Sequence, residues 1–229
     1  MKKLTICAAA LWAAFSGPAA AEGPVVVELF TSQGCSSCPP ADKVFSQIVD
    51  RDDVIAIALH VDYWDYLGWK DEFADPSFTA RQRAYARAAK SRTVYTPQMI
   101  VGGRDHIVGT RPMELADLVQ KHKSSPNPVK VTLKRDGDRV RIAASGNVGA
   151  GAVVHILTYT PKATVSIRRG ENAGRKLDYH NTVNKMIEVA KWNGSSDYRA
   201  SVKMPNGAPV VVLVQQKGAG PILGAARLR

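Results

Sequence analysis

The chain has 229 residues, 45% of them apolar, and carries 31 lysines and arginines against 20 aspartates and glutamates, a net charge of +11. That apolar share excludes a chain disordered throughout. The basic excess is broad, with Arg81, Arg83, Arg87, Lys90 and Arg92 on one predicted helix and Lys130, Lys134, Arg135, Arg139 and Arg141 on a predicted hairpin. It reads as a solvated basic surface with at most weak attraction to anionic envelope surfaces, not as a nucleic-acid footprint.

The first residues form a leader pattern. Met1-Lys2-Lys3 is cationic, Leu4 to Phe15 is an apolar run without charge, and Ser16-Gly17-Pro18 leads to Ala19-Ala20-Ala21. The run is shorter than the roughly 20 residues a membrane span needs. Small residues at the end mark a signal-peptide cleavage site after Ala21, and no stop-transfer pattern follows, which argues against a retained anchor. The expected mature protein is periplasmic or secreted, with no membrane anchor. Cys7 leaves with the leader, and 29 basic against 20 acidic residues leave the remainder at +9.

Val25 to Phe30 is an apolar run without alternation, the pattern of a strand buried on both faces. Thr31 to Gly34 is a turn, Cys35-Ser36-Ser37-Cys38 follows, and Ala41 to Val49 sets Val44, Phe45 and Ile48 at helical spacing. Val54 to Val61 is a second buried strand, and Asp62 to Asp71 is an aromatic loop. Asp75-Pro76-Ser77 opens a helix running to about Lys90. Thr96-Pro97 leads into a strand, Gln98 to Val101, and Gly102-Gly103 turns it into a short fourth strand, His106 to Gly109. Pro112-Met113-Glu114 opens a helix ending near Lys121. Residues 123–128 hold two prolines and small polar residues and mark a linker. Beyond it Val129 to Leu133 alternates, Asp136-Gly137 supplies a hairpin turn, and strands are expected at 140–142, 153–159, 164–168, 183–192, 198–204 and 210–215. About seven strands with no convincing helix suggest a β-sandwich over 129–229. No internal repeat is evident.

The two remaining cysteines are four positions apart, counted inclusively, in a compartment where disulfides form. A disulfide stabilises more as its loop grows, so this pair is a poor staple. Its purpose is redox chemistry, metal binding or none. A thiolate is the attacking species, and a helix N-terminus lowers a thiol pKa through unpaired N–H groups and the helix dipole. On that expectation Cys35 is the nucleophile at the helix start and Cys38, one turn in, the resolver. A zinc site needs two further ligands, and His60, His106, His122, His155 and His180 are scattered, so no metal site is expected. The dithiol beside a βαβ pattern favours redox chemistry.

Thr96-Pro97, directly before a strand and after a helix, adds a second element. With the dithiol it makes Val25 to Pro97 resemble the thioredoxin superfamily. Phe30 to Asp42, with His60 to Trp69, looks like an uncharacterised family of secreted bacterial thioredoxin-like proteins, a domain of unknown function. The resemblance implies an α/β thioredoxin-like domain over 22–122 ahead of the all-β sandwich-like domain. It also implies a disulfide-forming pair, Cys35 and Cys38, faced by a cis Pro97; an ordinary trans proline is the alternative. Thioredoxin has Trp-Cys-Gly-Pro-Cys, so this chain's redox potential cannot be borrowed from it, and Pro39-Pro40 is a departure able to displace the helix start.

Glu28, a carboxylate in an apolar strand, resembles the thioredoxin aspartate that takes the resolving thiol's proton, one residue out of place. It is either that base or a strand-end glutamate reaching solvent. Thr96, Trp64 and Trp69 are substrate-groove candidates, with packing of the aromatic loop as the other reading. The function expected is an exported thiol–disulfide oxidoreductase with no cofactor, acting on protein or small thiol and disulfide substrates, with a redox partner protein possible and no nucleic acid. The rivals are an envelope carrier of Cu(I) or another soft metal, and a non-enzymatic binding protein on a thioredoxin-like scaffold.

Overall fold

The computed structural model describes residues 23–125 and 127–229. The leader segment and its cleavage after Ala21 lie outside the described residues. In chain order the elements are β1 (Val25–Thr31), α1 (Pro39–Ser46), β2 (Val54–His60), α2 (Pro76–Ala88), β3 (Gln98–Val101), β4 (Asp105–Val108) and α3 (Pro112–Lys123). Then come β5 (Val129–Asp136), β6 (Arg139–Gly146), β7 (Ala152–Ser166), β8 (Lys176–Trp192), β9 (Tyr198–Lys203), β10 (Val210–Gln216) and β11 (Ile222–Leu228). No helix among the described residues is long and apolar enough to cross a membrane.

The unbroken apolar run of β1 follows from its position. It pairs parallel with β2 and antiparallel with β3, and every one of its residues is buried. Val25, Val27 and Leu29 face α1 and α3, packing with Ala41, Phe45, Leu115 and Val119. Val26 and Phe30 face the other way, with Phe78 and Tyr85 of α2. A strand covered on both faces has no solvent side to alternate toward.

The expected boundary at 123–128 does not divide the sheet. Eight strands run in the order β11-β10-β7-β8-β2-β1-β3-β4, and the join is β8 against the free edge of β2, Thr182 opposite Ala58. Asn181, with its backbone in the left-handed region, donates its side-chain amide to the Ala56 carbonyl at 2.9 Å and holds that join. The sheet folds back on itself, because Val211 and Leu213 of β10 share a core with Val26 of β1 and Ile100 of β3. The strands expected to form a freestanding sandwich are thus split between two sheets. β5, β6 and β9 make a separate three-stranded sheet that packs on the outer face of β7, β10 and β11. β11 had no sequence signal, since its Gly and Ala are weak strand formers. Gly224 is required there because a Cβ would collide with the Val129 carbonyl oxygen.

The separate strands expected at 153–159 and 164–168 are one strand, β7. Register shifts at Val154/His155 and Thr158/Tyr159 let it bend along β8. The far end of this long hairpin reaches past the sheet. Val165, Ile167 and Tyr179 pack on Trp69 of the aromatic loop and on Phe73 just after it, which brings the connecting segment 167–175 to the cysteines.

Candidate functional site

The dithiol sits in two successive tight turns between β1 and α1. The Cys35 N–H donates to the Ser32 carbonyl at 3.2 Å, and the Cys38 N–H donates to the Cys35 carbonyl at 3.2 Å. The two cysteines form a disulfide. Cys35 is 3% exposed and Cys38 0%, while Ser36 and Ser37 between them are exposed.

The helix does not begin at Cys35. Pro39 and Pro40 occupy its first two positions and Cys38 precedes them, its carbonyl accepting from Ala41 N–H at 2.8 Å and Asp42 N–H at 3.0 Å. Proline suits the first turn, where N–H groups have no helical partner, and two in succession place the start after Cys38. The same two residues remove two of the N–H groups that stabilise a thiolate at a helix N-terminus. The Ser37 hydroxyl, with Oγ 3.4 Å from Cys35 Sγ, supplies a polar contact in their place.

Glu28 is elsewhere. It lies on the α2 face of β1, opposite α1, buried and held by Arg81 through Nε to Oε1 at 2.6 Å and Nη2 to Oε2 at 3.0 Å. The Tyr85 hydroxyl also donates to it. One position of offset in a strand moves a side chain to the other face of the sheet, so neither reading of Glu28, resolving base or solvent-reaching glutamate, matches its place.

The carboxyl on the α1 side is Asp42. It follows Cys38 by four residues, hence on the same side of the helix, and its Oδ1 accepts from the Thr31 hydroxyl at 3.0 Å. Burial pushes its carboxyl up to about 7, against the lowering pull of His60 and of the Thr31 bond, with Asp71 adding a further push upward. His60 and Asp71 are themselves fully enclosed and joined, His60 Nδ1 to Asp71 Oδ2 at 2.7 Å. The same Asp71 oxygen accepts from the Gln33 N–H at 2.8 Å, two residues before Cys35. Tyr179 of β8 packs edge-on to His60 with ring centroids 5.0 Å apart, and burial raises its hydroxyl pKa, with Asp42 and Asp71 adding to the rise.

The aromatic loop is tied to the dithiol turn. Trp64 lies against Gly34, where a Cβ would come within 3.2 Å of it, and its indole donates to Thr96 Oγ1 at 2.7 Å. The Thr96–Pro97 bond is cis. Pro97 and Ala41 of α1 both meet Gly109, so the proline stands beside the dithiol helix. Trp69 donates to Gln33 Oε1 at 2.7 Å. Both indole N–H groups are therefore engaged, that of Trp69 on the dithiol turn and that of Trp64 on the residue before the cis proline.

Asn172 had no sequence signal. From the segment between β7 and β8 its amide donates to the carbonyls of Gln33 and Cys35, each at 2.9 Å, and Glu171 accepts from the Ser36 N–H at 3.2 Å. These partners are more than 130 residues away in sequence, which no local pattern reveals. His60, Asp71 and Asp42 were visible as residues, but only the fold shows that they act on one another, His60 and Asp71 enclosed and Asp42 half-buried at the cleft. Between α1 and the β7–β8 hairpin lies an open cleft of about 800 Å³, lined by Pro39, Asp42, Lys43, Arg175 and Lys176 among others. Among the described residues no group of three or more His, Cys, Asp or Glu side chains is arranged to hold a metal ion.

Residues 26–215 match the model of a family described as "Protein of unknown function (DUF1223)". The crystal structure of protein AGR_C_4864 from Agrobacterium tumefaciens is similar at 34% identity and a TM-score of 0.79, covering 91% of this chain and 96% of that one. HBP35 of Porphyromonas gingivalis is similar in fold alone, at 16% identity and a TM-score of 0.64, covering 90% of this chain and 75% of that one. A search of curated proteins finds no match.

Proposed function

The chain belongs to the DUF1223 family, and from its buried cysteine pair we propose that it is an exported thiol–disulfide oxidoreductase whose segment β1 to α3 is a thioredoxin-like unit. The observation that carries this reading is the Cys35–Cys38 disulfide at the head of α1 with Asp42 one helical turn further on. A disulfide closing so short a loop stabilises little, so its value lies in opening and closing. The enclosing groups are polar and titratable where a structural crosslink needs only packing.

In the reduced protein the Cys35 thiolate attacks one sulfur of a substrate disulfide. A mixed disulfide forms and the first substrate thiolate departs. Cys38 then gives its proton to the Asp42 carboxylate, and the Cys38 thiolate attacks Cys35 Sγ. The Cys35–Cys38 disulfide forms and the second substrate thiolate leaves, taking up a proton. The substrate disulfide gains two electrons and the dithiol loses two. Run backwards, the same steps oxidise a substrate dithiol. Asp42 suits either direction because a carboxyl titrating near 7 both accepts and returns a proton at neutral pH.

Two measurements test this. The reduction potential against glutathione fixes the direction, since about 30 mV corresponds to 1.4 kcal/mol. Cys38→Ser is expected to accumulate trapped mixed disulfides from an envelope extract, and Cys35→Ser to trap few or none. Equal trapping by both variants would reverse or abolish the assignment of nucleophile and resolver.

A further inference from the structure

The cleft between α1 and the β7–β8 hairpin opens at Pro39, the residue after Cys38, and three cations line it: Lys43 from α1, Arg175 from the segment leading into β8, and Lys176 at its start. None of the three takes part in an ion pair among the described residues. The acids nearby are already committed. Asp178 faces Lys162 at 3.4 Å and accepts from the Thr164 hydroxyl at 2.6 Å. Asp42 accepts from Thr31 and, through burial, keeps its proton over much of the range below neutrality. Glu171, on the hairpin tip, is hydrogen-bonded to the Ser36 N–H. Uncompensated positive charge on the walls of a concave surface focuses attraction on an anion there.

The cleft is also joined to the backbone of Cys35. Arg175 Nη1 donates to Asn172 Oδ1 at 2.8 Å, and the amide nitrogen of the same Asn172 donates to the Cys35 carbonyl. Arg175 therefore lies two hydrogen bonds from the backbone of the nucleophile, and an anion seated on it lies one more away. Its other wall is the helix that begins just past Cys38.

We infer that this cleft is the substrate subsite and that it selects thiols and disulfides bearing carboxylates close to the reacting sulfur. The inference rests on the thiol–disulfide reading above for the reacting step and on the cleft's charge for the selection. A volume of about 800 Å³ is within the usual range for sites taking small molecules and short peptide segments. A tripeptide disulfide such as oxidised glutathione and an acidic stretch of a protein substrate present the same chemistry.

The test has a binding arm and an exchange arm, both on the intact protein. Binding of S-methylglutathione, which cannot exchange, is measured by calorimetry on the disulfide form and compared with its dimethyl ester. Exchange of the reduced protein is followed with glutathione disulfide, with neutral bis(2-hydroxyethyl) disulfide, and with octapeptide disulfides flanked by Glu or by Lys. The variant Lys43→Glu, Lys176→Glu reverses two walls and spares the Arg175–Asn172 bond, and Lys134→Glu, Arg141→Glu on the distant β5–β6 hairpin controls for overall charge.

The free acid is expected to bind at least about tenfold more tightly than the ester, and the cleft variant to lose that margin while the control variant keeps it. Carboxylate-bearing disulfides should lose about tenfold in exchange rate in the cleft variant, with the neutral disulfide unchanged within about twofold. Faster exchange with the Glu-flanked octapeptide than with glutathione disulfide would make protein segments the natural source, and the opposite order would make it a small thiol. Both orders sustain the subsite. Equal binding of acid and ester, or a preference that survives in the cleft variant, overturns it. Neutral exchange without charge preference sinks only the subsite, whereas charge-dependent binding without any exchange sinks only the redox reading.

Discussion

At Asp42 the usual dependence of stability on acid is reversed. An unfolded aspartate loses its proton near 3.8, while in the folded chain burial holds it to about 7. Between those values the native state binds more protons than the unfolded one, so stability falls as pH rises through that window. Each unit of separation is worth about 1.4 kcal/mol, reduced here by the part of Asp42 that opens on the cleft. Asp42→Asn is expected to flatten that decline, measured by urea unfolding of the disulfide form at pH 4.5 and 7.5. In the reduced protein it should slow resolution of the mixed disulfide about tenfold or more near neutrality. Unchanged resolution would remove Asp42 from the proton path. Glu28→Gln should do the opposite. It leaves the Arg81 charge buried and unpaired, a loss of about 3 kcal/mol in unfolding free energy, while exchange rates stay within about twofold because Glu28 faces away from α1.

Among the elements, the β7–β8 hairpin reaches the dithiol from farthest along the chain. Its far end packs on Trp69 and Phe73, and its connecting segment places Asn172 over the carbonyls of Gln33 and Cys35. That clamp encloses Cys35 from one side as Trp64 backs Gly34 from the other. Asn172→Ala removes both hydrogen bonds, each worth about 1 kcal/mol. Alkylation of Cys35 in the reduced protein should then speed up several-fold, read by mass spectrometry after a timed iodoacetamide pulse. A rate equal to the parent's would show that the hairpin does not govern access to the sulfur.

At the scale of the whole molecule, one sheet crosses the middle of the chain. β8 closes the edge of β2, and β10 and β11 send Val211, Leu213 and Ala225 into the core under β1 and β3. A fragment of residues 23–122 would expose that apolar face and a bare strand edge. It is expected to aggregate or to lack a cooperative transition, while residues 23–229 should unfold in a single calorimetric step. Two separate transitions, or a soluble folded fragment, would restore two independent units.

The sequence by itself determined β1 and β2, because short apolar runs rich in β-branched valine and isoleucine and bounded by turn signals favour a strand covered on both faces over a buried helix. It also determined the turn before Cys35 and the entry to α2, where Asp75 accepts from the Ser77 N–H ahead of Pro76 as the local pattern requires, but not the helix start, which was expected at Cys35 and lies after Cys38. These are short-range properties, set by φ preferences and by hydrogen bonds within a few residues. Tertiary structure alone decided which face Glu28 takes, since a single step in a strand reverses it. It alone brought His60, Asp71 and Asp42 together behind the cysteines. It alone carried Asn172 across more than 130 residues to the Cys35 carbonyl. Burial and long-range pairing depend on which sheet edges are free to pair, and on how the sheet bends, and neither is written in any window of the sequence.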